Sequence, residues 1–304
     1  MLISVQTGGI VDAFGLEKGF DMIAEAGFDG VDINLDHCLT PDEIRQRRHG
    51  GFYDRTDEEI LAAMRSTREA AEKRGLRFVQ AHAPFPTYVR DAAMDEYVLE
   101  ALKKTIMMCG FLGCPYLIVH PCYLPADKRL TAAEEWDLNI EMYTALLPAL
   151  KRYGVVCCLE NMFTRHRGKV MEASCSDPNE AIRYIDALNE IAGEERYGFC
   201  LDIGHATLLG KDLYALIHRL GHRIKTLHVH DNNGLEDEHL FPYMGVTDWN
   251  RFCRALNEIK YPYDLNFETF QGIATFDPEL APHLLKLLRA TGALFARRIA
   301  GEEV

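Results

Sequence analysis

YGFCLDIGH, residues 197–205, is an apolar run, Tyr197 to Leu201, that stops on one acid, Asp202, and reaches a histidine, His205, three residues later. The same design recurs along the chain. RFVQAHAPF (77–85) carries His82, YLIVHPC (116–122) His120, VVCCLEN (155–161) Glu160, IKTLHVHD (224–231) His228 and DLNFET (264–269) Glu268. From His82 onward the intervals are 38, 40, 42, 26 and 40 residues, about one strand, one helix and their loops. Polar groups at the ends of successive parallel strands converge when a sheet closes into a (β/α)8 barrel, at its C-terminal mouth. The chain is therefore predicted to be α/β, a single-domain TIM barrel over residues 1–304 with these six residues at one site.

The rest of the sequence agrees with that register. Strands are predicted near 2–7, 30–35, 77–83, 116–121, 155–160, 197–203, 224–230 and 264–269. Helices fall between them, near 16–26, 57–74, 92–110, 132–152, 178–192, 212–220, 248–258 and 279–296. Thr131 with Glu134 reads as a capping box, and Asp177 before Pro178 as an N-cap. No linker or low-complexity segment divides the chain. The longer loops, 36–56, 161–176 and 232–247, all follow strands, where a barrel builds and covers its active site.

A chain of 304 residues, 48% of them hydrophobic, buries a large core, and barrels of this size commonly form one domain. The start shows no leader pattern and no apolar run reaches membrane-spanning length, so a cytoplasmic protein with no membrane partner is expected. The nine cysteines lack paired zinc-type spacing and read as reduced, mostly buried thiols. A net charge of −13 disfavours a nucleic-acid partner, which normally needs a basic stripe. One local exception is the fifth-strand loop, where Arg165, His166, Arg167 and Lys169 cluster. Solvated charge is the ordinary reading of such a cluster, and contact between Arg165 and an anionic substrate group is the functional one.

A carboxylate buried in an apolar strand is costly unless a cation accompanies it, and no Lys or Arg lies on the strands of Glu160, Asp202 or Glu268. With His228 these three make a mixed oxygen and nitrogen shell suited to one Mn, Co, Mg or Zn ion, with positions left for substrate oxygens. A sugar chelated through its carbonyl and adjacent hydroxyl has an acidified α-hydrogen, because the metal stabilises the enediolate. Glu160 and Glu268, on separate strands, suit the two proton transfers of epimerisation or aldose–ketose isomerisation. His205 is placed for a substrate hydroxyl or another metal. His228 and His230 have strand period two, so both can face inward and only one need ligate. The outer side chains of Asp237-Glu238-His239 can point the same way. Phe85, Tyr88, Phe163, Arg165, Phe241 and Trp249 are candidate pocket walls, although simple packing is the commoner fate of such residues.

The segments GFDGVDI (27–33), AHAPF (81–85), VHP (119–121), LEN (159–161), LDIGHA (201–206), HVHDN (228–232), DEHLFPYMG (237–245) with DW (248–249), and NFET (266–269) resemble the xylose-isomerase-like superfamily. That group holds sugar isomerases, sugar epimerases of the tagatose and psicose 3-epimerase type, and the endonuclease IV group. The resemblance spans nearly the whole chain. It implies one divalent ion on Glu160, Asp202, His228 and Glu268, acid/base roles for Glu160 and Glu268, and substrate contact by His205. His228 is chosen over His230 because the family ligand typically lies three residues before an Asp, here Asp231. Sugar-acting relatives use residues like His82 and His120 as substrate contacts, and His239 is grouped with them. The same resemblance carries an alternative. His82, His120, His205, Asp237 and His239 match additional ligands of a site with two to three Zn in apurinic-site phosphodiesterases. Motifs such as that group's GAHVS and CIDTCH are absent, so a small-molecule sugar or sugar phosphate is the expected substrate. An inosose or dehydroshikimate-type dehydratase is a further alternative. Homo-oligomers are common in the group.

Overall fold

The computed structural model describes residues 1–302. Ten strands occur along this stretch: β1 Ile3–Gln6, β2 Gly30–Asn34, β3 Arg77–His82, β4 Tyr116–Ile118, β5 Val156–Glu160, β6 Phe163–His166, β7 Lys169–Glu172, β8 Tyr197–Asp202, β9 Ile224–His228 and β10 Leu265–Phe267. Eight of them form one sheet in the order β10-β1-β2-β3-β4-β5-β8-β9. The two ends of that order meet at a parallel bridge between Val229 and Phe267. There the Val229 N–H donates to the Asn266 carbonyl (2.9 Å) and the Glu268 N–H to the Val229 carbonyl (3.2 Å). Parallel strands alternating with helices thus make a (β/α)8 barrel, and their apolar runs are buried on both faces as such sheets require. Among the described residues no helix is long and apolar enough to cross a membrane.

Chain contacts divide the fold into two compact units. The first comprises Met1–Ile33, Glu69–Val79 and the chain from Cys200 on. In it β1 lies between β10 and β2, with Val5 opposite Phe267 and Gln6 opposite Asp32. The helix Ala281–Ile299 buries Leu285, Leu288 and Phe295. Trp249, at the start of the helix Trp249–Glu258, stacks on Phe295 with ring centroids 5.2 Å apart.

The second unit comprises Asn34–Arg68 and Gln80–Phe199. Its core strands run His82 opposite Ile118 and Ile118 opposite Cys158. The long helix Ala132–Tyr153 starts on the expected box: Glu134 N–H donates to Thr131 Oγ1, and the Glu134 carboxylate accepts from the Thr131 N–H at 2.8 Å. Such a cap is worth about 1 kcal/mol. Asn139 on this helix takes the Cys122 N–H (2.7 Å) and donates to the Cys122 carbonyl (2.9 Å). That contact explains one departure from expectation. β4 ends at Ile118 rather than near 121, since Pro121 has no N–H and Cys122 spends its backbone groups on Asn139, so His120 stands on a loop.

A second departure lies in the loop 161–176. It holds an antiparallel hairpin, β6 paired with β7, closed by Arg167 and Gly168. Both have positive φ (50° and 78°), as a two-residue type I′ connection needs. All nine cysteines are buried thiols outside any disulfide, and burial pushes the Cys122 thiol up to about 12.

Candidate active site

In the first unit, β8, β9 and β10 deliver Asp202, His228 and Glu268 to one place. One ligand atom from each lies within 4.8 Å of the others, and all three side chains are buried. His228 Nδ1 is 3.6 Å from Asp202 Oδ2 and 3.3 Å from Glu268 Oε2. Donors bound at about 2.1 Å to a divalent ion stand roughly 3.0 to 3.4 Å apart around octahedral or tetrahedral shells, so the 3.3 Å pair matches a shared cation and the 3.6 Å pair would draw in slightly around one. Two carboxylates and one imidazole also suit such an ion chemically.

Each of these groups is held from behind. Gln6, the last residue of β1, donates from Nε2 to Glu268 Oε1 at 2.6 Å, which leaves Oε2 on the His228 side. His228 Nε2 is 3.6 Å from Asp32 Oδ2, and Asn266 Nδ2 donates to that same oxygen at 2.9 Å. Asp202 caps the short helix Ile203–Leu208 by accepting the His205 N–H at 2.6 Å. His230 donates from Nε2 to both Asp202 oxygens, at 3.0 and 3.1 Å. Burial alone would raise the Asp202 carboxyl, but His205, His230 and His228 around it hold it well below the usual carboxylate range.

Next to this group the loop 232–247 brings in Asp237 and His239. The two outer side chains of that triplet do meet, with His239 Nε2 3.2 Å from Asp237 Oδ2. His239 Nδ1 donates to the Glu268 carbonyl (3.0 Å), and its ring lies parallel to His230 with centroids 4.0 Å apart. His205 Nε2 is 3.6 Å from Asp237 Oδ2. Burial opposes a charged His239, yet the Asp237 and Glu268 carboxylates raise it to about 9. Burial likewise opposes the Asp237 anion, and the two histidines outweigh it.

In the second unit β3 and β5 present His82 and Glu160, and the loop after β4 presents His120. His82 Nε2 and His120 Nε2 are 3.0 Å apart, and Glu160 Oε2 lies 3.1 Å from His120 Nε2 and 3.9 Å from His82 Nε2. This is a second buried group of metal-ligand type. Phe85 packs on both rings, 5.5 Å from His82 and 4.7 Å from His120. Arg165 on β6 lies over the Phe163 ring at 5.8 Å.

The structure sorts the proposed walls. Phe85 lies against the histidines, whereas Trp249 is core, only 2% exposed and packed on Phe252 and Phe295. Gln6, Asp32 and Asn266 are not picked out by the sequence, which offers His230 a supporting place beside a ligating His228 without naming Asp202 as its partner. Gln6 carried a readable signal, because it ends its apolar strand as the acids and histidines end theirs.

The strand ends of this (β/α)8 barrel carry buried carboxylates and imidazoles in groups that could hold a metal ion. The profile of the xylose isomerase-like TIM barrel family matches residues 20–291, and the chain belongs to that family. Curated relatives include an uncharacterized protein of Methanocaldococcus jannaschii, 28% identical over 261 residues (83% of this chain, 78% of that one). Another, from Sinorhizobium fredii, is 26% identical over 275 residues (84% and 81%). Among solved structures, a D-tagatose 3-epimerase-like protein superposes with a TM-score of 0.68 at 21% identity, covering 96% of this chain and 99% of that one. The D-allulose 3-epimerase of Methylomonas sp. gives 0.71 at 19%, covering 98% of each. The 3-keto-D-glucoside 4-epimerase of E. coli gives 0.70 at 16%, covering 95% and 99%. At these identities the likeness is one of fold.

Proposed function

We propose that the protein is a divalent-metal-dependent sugar isomerase or epimerase. The observation that carries this reading is the buried meeting of Asp202, His228 and Glu268 at the spacing of a shared cation. In the proposal Glu160 completes the shell, as the sequence resemblance implies. One Mn, Co, Mg or Zn ion per chain, held there, would supply Lewis-acid polarisation of the substrate's carbonyl and neighbouring hydroxyl. The fold likeness to sugar epimerases supports the choice of substrate class, since their names specify ketoses and a keto-glucoside.

The chemistry falls to this chain's own residues. One of Glu160 and Glu268 removes the proton from the carbon beside the carbonyl, and the other returns a proton to the opposite face or the adjacent carbon. Gln6 fixes the orientation of the Glu268 carboxylate for that transfer. His205, His239, His82 and His120 hold substrate hydroxyls, with Phe85 covering an apolar face of the sugar. Deletion of either carboxylate's base function, Glu160→Gln or Glu268→Gln, is expected to lower kcat on the true substrate by about 10²–10⁴-fold with the fold intact. Near-wild-type turnover by either variant contradicts its role.

One observation favours a second reading. The His82–His120–Glu160 group and the His205–Asp237–His239 contacts provide ligands for further ions, as in a zinc phosphodiesterase acting on apurinic sites. Two to three Zn per chain, with cleavage of abasic DNA and no sugar turnover, would support it. The net charge of −13 weighs against it.

A further inference from the structure

We infer that Asp231 is a positioning residue for this site, whose carboxylate sets the loop 232–247 so that Asp237 and His239 reach His205 and Glu268. Asp231 is fully buried, three residues past His228. Its two oxygens accept the backbone N–H groups of Asn232 (3.0 Å), Tyr243 (3.1 Å), Gly245 (3.0 Å) and Thr247 (3.2 Å) and the Trp249 indole N–H (3.1 Å). A carboxylate is an acceptor only, with about four lone-pair sites, so five converging N–H donors use its full capacity.

The main chain of the same residue closes the loop's base. Asp231 and Leu240 exchange N–H to carbonyl bonds of 2.9 Å in both directions. Residues 232–239 leave and return across that pair, so His239 comes in directly before the closing bond. It does so with φ 46°, and Tyr243 follows at φ 75°, left-handed conformations that the surrounding bonds must hold. Gly245 passes so near that a Cβ there would come within 2.2 Å of the Asn232 carbonyl oxygen and 2.4 Å of Asp231 Oδ1. The Trp249 indole ties the cluster to the packed Phe252 and Phe295 rings. The loop's acid and histidine are thereby referenced to the core through one carboxylate.

The test uses the full chain with Mn²⁺. Asp231→Asn keeps the volume but turns an NH₂ group onto N–H donors. Amide hydrogen exchange across 232–247 should quicken at least about tenfold, while Mn²⁺ stoichiometry stays unchanged. On the sugar found active, kcat should fall at least about thirtyfold with KM within about threefold, and Asp231→Asn/His239→Ala should be no slower than His239→Ala alone. Gly245→Ala, which crowds the same carboxylate without changing charge, should reproduce the pattern and serves if Asp231→Asn fails to fold. Unchanged exchange, or losses that multiply in the double variant, would overturn the inference. Only the turnover arm rests on the sugar-epimerase reading. A wild type that turns over no sugar refutes that reading, and the exchange result then decides the loop assignment by itself.

Discussion

The backbone of Gly204 lies so close to the His230 imidazole that a Cβ on residue 204 would come within 1.9 Å of Cε1 and 2.4 Å of Nδ1. His230 holds both Asp202 oxygens, and Gly204 belongs to the turn that Asp202 itself caps. The carboxylate, its imidazole partner and the turn are therefore one interlocked piece. Gly204→Ala must push the ring aside. It is expected to destabilise the protein by about 1–3 kcal/mol, the ordinary cost of overpacking, and to weaken Mn²⁺ binding. Thermal unfolding and a Mn²⁺ titration check this, and a variant unchanged in both would contradict it.

The two inward histidines of β9 and its extension have separable roles. His228 faces both carboxylates, whereas His230 spends Nε2 on Asp202. His230→Ala should cost about 10–100-fold in Mn²⁺ affinity, the usual loss for a group that orients a ligand, and His228→Ala should cost more. The reverse ranking would assign the ligand to His230.

A cation bound by Asp202, His228 and Glu268 stabilises the folded chain by mass action. At a Mn²⁺ concentration about 100 times its Kd the gain should be about 2.7 kcal/mol, seen as a higher Tm that EDTA removes. Asp202→Asn should abolish that rise. A full Mn²⁺-dependent rise in the variant would place the ion elsewhere.

The cationic hairpin bears on substrate choice. Arg165 stands on β6, five residues past Glu160 at the end of β5, and it lies over Phe163. If it meets a phosphate, Arg165→Ala should raise KM for a ketose phosphate by about 10–100-fold, matching a charged hydrogen bond, and leave KM for the free ketose unchanged. Equal effects on both sugars would remove the phosphate role.

Much of the site was legible because its chemistry is out of place in its surroundings. Glu160, Asp202 and Glu268 stand at the ends of apolar strands, where an unaccompanied carboxylate is too costly to keep, so their grouping with histidines followed from sequence. Strand period two put His228 and His230 on one face but carried no sign of which would turn to Asp202. Gln6, Asp32 and Asn266 stayed hidden for a different reason. They are partners rather than ligands, and the Gln6–Glu268 and Asn266–Asp32 bonds join residues 262 and 234 positions apart. The β6–β7 hairpin escaped because its turn is Arg-Gly, not the Asn-Gly or Asp-Gly pair that usually announces a type I′ connection. In the sequence Asp231 is only a marker for His228, since four of its five donors come from a loop whose path no local pattern dictates.

Proton transfer at the carbon beside a ketose carbonyl is the central claim, and solvent exchange reads it directly. Mn²⁺-loaded protein should be incubated with D-tagatose, D-allulose and D-fructose in D₂O and the sugars followed by NMR. The account predicts an epimer or isomer carrying deuterium at the reacting carbon, formed by the wild type and lost in Glu268→Gln. No new sugar and no deuterium at any carbon of any of the three, with metal bound at Asp202, His228 and Glu268, would contradict it.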